Sequence, residues 1–225
     1  MKKLILPALR TCLIGAIAFG LLLFLPAWTL NYWQAWIFIL VFMASSNAIG
    51  VYLSIKDPAL LERRKKVGPA SETSPVQKII MTTAILALVG LFIFCAFDYR
   101  FGWSQVPPVW VIAGDVLIIL SFYIQYLVFK ENSFGGSTVE TFADQKVIST
   151  GPYGLIRHPM YAGVFVMITG IPMALGSWWG LLILAVSIPG LAWRILDEEK
   201  LLKKDLPGYS EYSQKVRYRL VPYLW

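Results

Sequence analysis

The one histidine of this chain, His158, lies in its densest polar run. The segment reads Gly151-Pro152-Tyr153-Gly154-Leu155-Ile156-Arg157-His158-Pro159-Met160-Tyr161-Ala162-Gly163, directly before an apolar stretch that reaches Leu175. A guanidinium, an imidazole and two phenols are costly at a membrane boundary, and such groups mark places that bind or react. Pro159 suits the first position of a helix, where its missing N–H costs nothing. Arg157 and His158 then sit at a helix N-terminus, whose unpaired N–H groups and dipole favour an anion. Tyr161, just inside the first turn, points back to the same spot. The chemistry on offer is anion binding, one titratable ring, and two phenols for stacking or hydrogen bonding. A belt of Arg, His and Tyr that only anchors the span is the plainer reading, and the density of the cluster argues against it.

A second constellation is Arg194-Ile195-Leu196-Asp197-Glu198-Glu199. Arg194 and Glu198 are four apart and share a helix face, with Glu199 beside it. As an exposed ion pair it would contribute under ~1 kcal/mol. The chain between the two constellations reads as a helical hairpin, which returns residue 194 to the leaflet of residue 158. Asp115 stands inside an apolar block, toward its outer end. It is expected to be a structural partner or a cavity contact, apart from the site.

The elements that must position these residues are membrane spans. Of 225 residues 57% are hydrophobic and 15% charged, with mean hydropathy +0.64; a soluble domain carries about 25% charged residues. The apolar residues fall in six blocks, about 9–28, 33–55, 79–97, 107–129, 159–175 and 178–195, near the roughly 20 residues a spanning helix needs. The expected fold is an all-α polytopic membrane protein in one membrane domain. Residues 1–129 make a four-span half and 130–225 a half that carries the chemistry. The last two blocks form a hairpin about Gly176 and Ser177. Gly170 with Pro172, and Pro189 with Gly190, are expected to interrupt those two spans and mark a cavity. The first block follows Lys2 and Lys3 but is long and lacks a cleavage site, so it reads as a retained span. Cys12 and Cys95 fall inside spans and are expected to be free.

Nineteen of the 20 Lys/Arg lie in segments 1–10, 56–78, 130–158 and 194–225. That asymmetry predicts cytoplasmic N- and C-termini, hence an active site facing the cytoplasm (of the inner membrane, in a bacterium). The net charge of +7 is then an orientation signal with attraction to anionic lipid, and no nucleic-acid partner is called for. Residues 56–78 read as a loop that opens with a short interfacial helix, its Glu62–Lys66 charge run a solvated or headgroup-facing surface. No Rossmann or phosphate-loop fingerprint and no nucleophile elbow is present. One histidine and no exposed cysteine argue against a metal site.

Gly151-Pro152-Tyr153 with Arg157-His158-Pro159-x-Tyr161-x-Gly163 resembles the hallmark of the isoprenylcysteine carboxyl methyltransferase family, related to membrane phospholipid N-methyltransferases. The family's second hallmark, Arg-x-x-x-Glu-Glu-x-x-Leu, is matched by Arg194, Glu198, Glu199 and Leu202. The closing Leu206-Pro207-Gly208-Tyr209-x-x-Tyr212 departs from the usual Phe-Gly form. The resemblance covers about residues 130–225. It implies S-adenosylmethionine as methyl donor. Gln145, Lys146, Val147 and Ile148, with Tyr153, His158, Pro159, Met160 and Tyr161, are then expected at the cofactor, and Arg157 beside its carboxylate. Arg194 and Glu198 become the substrate-side or catalytic pair.

Methyl transfer is an in-line displacement in which positioning dominates. A carboxylate acceptor needs no base and would be oriented by Arg194; an amine would pass its proton to Glu198 or Glu199. The acceptor is expected to be a lipid-like or prenylated molecule arriving through the bilayer, with carboxyl O-methylation favoured. Two other readings stand beside it. One is an NADPH-dependent reductase of an isoprenoid or sterol double bond, since sterol reductases share a similar C-terminal half. The other is a non-catalytic membrane protein of the same fold.

Overall fold

The computed structural model describes residues 2–72, 74–140 and 145–225, with side chains from Arg10 onward; Asp144 lies outside the described residues. Among these residues all regular structure is helical. The α-helices are α1 (Lys2–Ala27), α2 (Trp33–Lys56), α3 (Pro58–Lys65), α4 (Pro75–Phe101), α5 (Pro108–Glu131), α6 (Pro159–Ala174), α7 (Gly180–Asp205) and α8 (Tyr209–Lys215), with short 3-10 turns at Pro69–Ser71 and Gly151–Gly154. Five helices, α1, α2, α4, α5 and α7, are long and apolar enough to cross a membrane. The chain is an all-α, multi-pass membrane protein.

The fifth expected span is shorter than a bilayer. Helix α6 has 16 residues, a rise of roughly 24 Å against a hydrocarbon core of about 30 Å. The expected interruptions are also absent: α6 runs through Gly170 and Pro172, and α7 through Pro189 and Gly190. Gly170 serves close packing. A Cβ there would stand 2.9 Å from the Gly114 carbonyl oxygen, and one on Gly114 would stand 2.2 Å from the Ala174 nitrogen. Small residues let two backbones approach in this way inside a membrane.

The chain forms two compact units. One comprises Met1–Val51, Ala87–Phe122 and Val166–Ala185. Its core gathers Leu23, Tyr32, Phe38, Phe92, Ile118, Ile171 and Leu175. The Tyr32 hydroxyl donates to the Leu175 carbonyl at 2.6 Å, and its ring stacks on Tyr99 at 4.0 Å. Fully buried Asp98 accepts from the Ser104 amide and hydroxyl, each at 2.7 Å, and from the Ser177 hydroxyl. Ser177 in turn accepts from the Gly180 amide at 2.9 Å, which caps α7. Gly176, at φ +72°, makes the turn from α6. Buried Asp115 belongs to this unit, and neither of its carboxylate oxygens has a partner.

The other unit comprises Tyr52–Leu86, Tyr123–Phe165 and Val186–Trp225 and holds both polar constellations. Helix α3 is the short helix expected after Lys56. Asp57 caps it by accepting from the Leu60 amide at 2.9 Å, with Pro58 in the first turn. Tyr209 and Tyr212 of α8 pack with Leu206 against Val147, Leu202 and Val216.

Candidate functional site

Two hubs, both within the second unit, organise the site. The first is Arg194 of α7. Its Nε donates to the Tyr161 hydroxyl at 3.0 Å, Nη1 to Gln77 at 2.8 Å, and Nη2 to Glu72 at 2.9 Å and to the Ser137 carbonyl at 3.2 Å. Four protein acceptors around one buried guanidinium fix its plane. Tyr161 passes the arrangement on, donating its own proton to Glu198 at 2.5 Å. Arg194 and Glu198 do share a face, and a phenol joins them. Glu72 is itself held, its second oxygen accepting from the Val139 amide at 3.1 Å. Gln77 donates to Asp197 at 2.6 Å.

The second hub is Glu199, almost fully buried. Its Oε1 faces Arg157 at 2.8 Å and His158 Nε2 at 3.3 Å, while Oε2 accepts from Arg219 Nε at 3.1 Å. An acceptor opposite Nε2 puts the hydrogen of a neutral imidazole there and leaves Nδ1 as a lone-pair nitrogen. His158 and Tyr161 lie 5.8 Å apart, centroid to centroid, so the hubs adjoin at the start of α6. The chain's C-terminal stretch straps this corner. The amides of Arg157 and His158 donate to the Tyr218 and Arg219 carbonyls, both at 2.9 Å, and Arg157 Nη2 donates to the Arg217 carbonyl at 3.0 Å. Those two amides are therefore occupied, contrary to the expectation that they lie open to an anion. Arg157 Nε and the Tyr209 hydroxyl remain buried without a partner.

The remaining residues expected at the site are distributed as follows. Pro159 is the first residue of α6. The Met160 sulfur accepts from Arg64 at 3.5 Å, and its carbonyl from Gln125 at 3.0 Å. The Tyr153 hydroxyl accepts from Asn132 at 2.8 Å, and its carbonyl from Tyr212 at 2.7 Å. Burial pushes the Tyr153 phenol up to about 12, and burial raises Tyr209 and Tyr212 as well; all three stay protonated at neutral pH. Val147 packs on α8, whereas Lys146 is exposed and Gln145 and Ile148 are half-buried.

Sequence reasoning missed Glu72, Gln77 and Arg219, and placed Arg64 wrongly. The charge run was expected to be a solvated or headgroup-facing surface. Glu62 and Lys65 do form an exposed pair, but Arg64 turns inward, donates to the Gly135 carbonyl at 3.0 Å and lies 4.4 Å over the Phe129 ring. Burial lowers its guanidinium to about 10, leaving it a cation at neutral pH. The signal available was its place on α3: one turn of helix separates inward Leu60 from Arg64.

The described residues thus combine apolar spans with a buried acid–base cluster at one helix entry. Residues 109–207 match the family model described as phospholipid methyltransferase, the family of isoprenylcysteine carboxyl methyltransferase-like membrane methyltransferases. The match runs from the start of α5 to the end of α7 and includes both motifs, so the resemblance read from them is borne out. The chain is also 28% identical over 97 residues to Delta(14)-sterol reductase TM7SF2 of Mus musculus, covering 40% of this chain and 22% of that protein.

Proposed function

We propose that the protein transfers a methyl group from S-adenosylmethionine to a lipid-like or prenylated acceptor at the cytoplasmic leaflet, with carboxyl O-methylation favoured. The family match indicates a methyltransferase. The observation that carries the finer reading is the joining of the two motifs, His158 and Tyr161 to Glu199, Glu198 and Arg194, in one buried cluster. Its donor set suits this cofactor. Arg157 Nε and the Tyr209 hydroxyl are buried and unpartnered, fit for a carboxylate; Glu198 suits an ammonium; Tyr153, His158 and Tyr161 offer rings for an adenine. Gln145, Lys146, Val147, Ile148, Pro159 and Met160 complete the proposed cofactor wall. When bound, the cofactor supplies an electrophilic methyl group on a sulfonium centre.

The protein's own residues then bind, orient and exclude water. Arg194 acts as a positioning residue, because its donors are engaged by Tyr161, Gln77, Glu72 and Ser137. It holds the Tyr161 hydroxyl, which holds Glu198 at the acceptor side. A carboxylate acceptor attacks without a base; an amine would give its proton to Glu198. Burial of the cluster strengthens each of these interactions.

One observation favours a second reading. The identity to a sterol reductase supports an NADPH-dependent reduction of an isoprenoid double bond in the same corner. Ligand-dependent melting in detergent separates the two. S-adenosylmethionine is expected to raise Tm, the gain in stability being RT ln(1 + [L]/Kd) or about 2.7 kcal/mol at a hundredfold excess over Kd, and NADPH to leave Tm unchanged. The opposite pattern removes the methyltransferase. Labelled S-adenosylmethionine incubated with membrane extract would then identify the acceptor.

A further inference from the structure

We propose that Arg219 is a positioning residue of the site: it clamps Glu199 so that Glu199 fixes the orientation of His158. Neutralising Glu199 needs only one cation, and Arg157 supplies it at 2.8 Å. A second guanidinium is surplus for charge and has a geometric effect. Arg157 and His158 share Oε1, whereas Arg219 alone takes Oε2, at 3.1 Å. With both oxygens held, the carboxylate cannot rotate about its last bond, and Oε1 stays between Arg157 and the imidazole. Freed from Arg219, the group can turn fully toward Arg157, and His158, whose 3.3 Å contact is the longest of the three, loses its partner first.

Arg219 is itself fixed. Its amide donates to the Trp225 carbonyl at 2.8 Å, and its guanidinium lies 5.4 Å over the Trp225 ring. Its carbonyl accepts from the His158 amide at 2.9 Å. Backbone and side chain thus grip the histidine motif from two sides. The main-chain grip survives any side-chain substitution, so the side-chain effect can be isolated.

The single histidine makes the test direct. In tag-free protein labelled with ring-13C histidine, without ligand, His158 gives the only imidazole signal. One sharp resonance is expected in the wild type. Arg219→Gln is expected to broaden or split it, and Arg219→Lys, which keeps a cationic donor, to restore it in large part. Trp225→Leu, which removes only the ring beneath the guanidinium, should also broaden or split the resonance, and it serves where Arg219→Gln does not fold. A spectrum superimposable on wild type in Arg219→Gln, or in Trp225→Leu where Arg219→Gln does not fold, overturns the proposal. The kinetic arm rests on the methyl-donor reading: KM for S-adenosylmethionine should rise about tenfold in Arg219→Gln, the weight of one charge-assisted hydrogen bond, with kcat near wild type. An altered resonance with no S-adenosylmethionine-dependent activity in the wild type sinks that reading and leaves the clamp standing; an unaltered resonance with normal wild-type kinetics sinks the clamp alone.

Discussion

Tyr161 is the residue through which the two motifs speak to each other. It accepts from Arg194 and donates to Glu198 with one oxygen. Tyr161→Phe keeps the ring and removes that oxygen, leaving buried Arg194 and half-buried Glu198 each short of a partner, at roughly 1–3 kcal/mol for the buried member. Turnover is expected to fall about tenfold or more while membrane insertion is unchanged; labelled-methyl incorporation and yield in the membrane fraction measure the two. Tyr153 carries a different expectation. Its phenol is raised from 10.0 to about 12, so the folded state holds a proton that the unfolded chain releases earlier. That contribution is complete below about pH 10 and is lost as pH rises toward 12. Tyrosinate absorbance during an alkaline titration should show a late component that Tyr153→Phe removes. At this scale the sequence was partly legible. His158, Tyr161, Glu198 and Glu199 stood out because polar residues in apolar surroundings are conspicuous. Glu72 and Gln77 did not, because they reach Arg194 across 122 and 117 residues of chain, and no local pattern records such a pairing.

Among the elements, α5 and α6 approach closely at two glycines. Gly114 and Gly170 leave no room for a methyl group: a Cβ on Gly114 would meet Ala174 backbone at 2.2 Å. Gly114→Ala should therefore destabilise the protein by about 1–3 kcal/mol, read as a lower Tm in detergent, whereas Gly90→Ala, with nothing within 4 Å of its new Cβ, should be neutral or stabilising. Apolar length made α1, α2, α4, α5 and α7 readable, and α3 was expected as a short interfacial helix after the second span. The expected breaks at Gly170, Pro172 and Pro189 did not occur. A glycine or proline in a membrane helix is compatible with continuous helix when neighbouring groups compensate, and at Gly170 the small residue serves approach rather than a bend.

For the whole molecule, the distribution of Lys and Arg predicts which end of the bundle faces the cytoplasm. Cysteines introduced at Lys66 and Lys215, in a background lacking Cys12 and Cys95, should react with an impermeant maleimide in inside-out vesicles, and one at Trp103 in right-side-out vesicles. The reverse pattern would put the polar cluster on the wrong side for a cytoplasmic methyl donor. An orientation can be predicted from sequence because charge bias is a property of whole segments. The C-terminal strap could not, because its bonds to Arg157 and His158 are made by main-chain groups, which are the same for every residue type.

The crowding of Arg157, His158 and Arg219 around Glu199 has an evolutionary corollary. Removing the carboxylate alone strands two guanidiniums, at a cost of about 3–5 kcal/mol, whereas losing Arg219 with it returns the net charge of the corner to its starting value. Glu199→Gln with Arg219→Gln should therefore be tolerated better than Glu199→Gln alone, a sign-reversing epistasis. Sequence drift at these two positions is then constrained to a narrow path: the cation must leave before the anion does, and only a lineage that crosses in that order loses both groups without passing through the least stable intermediate.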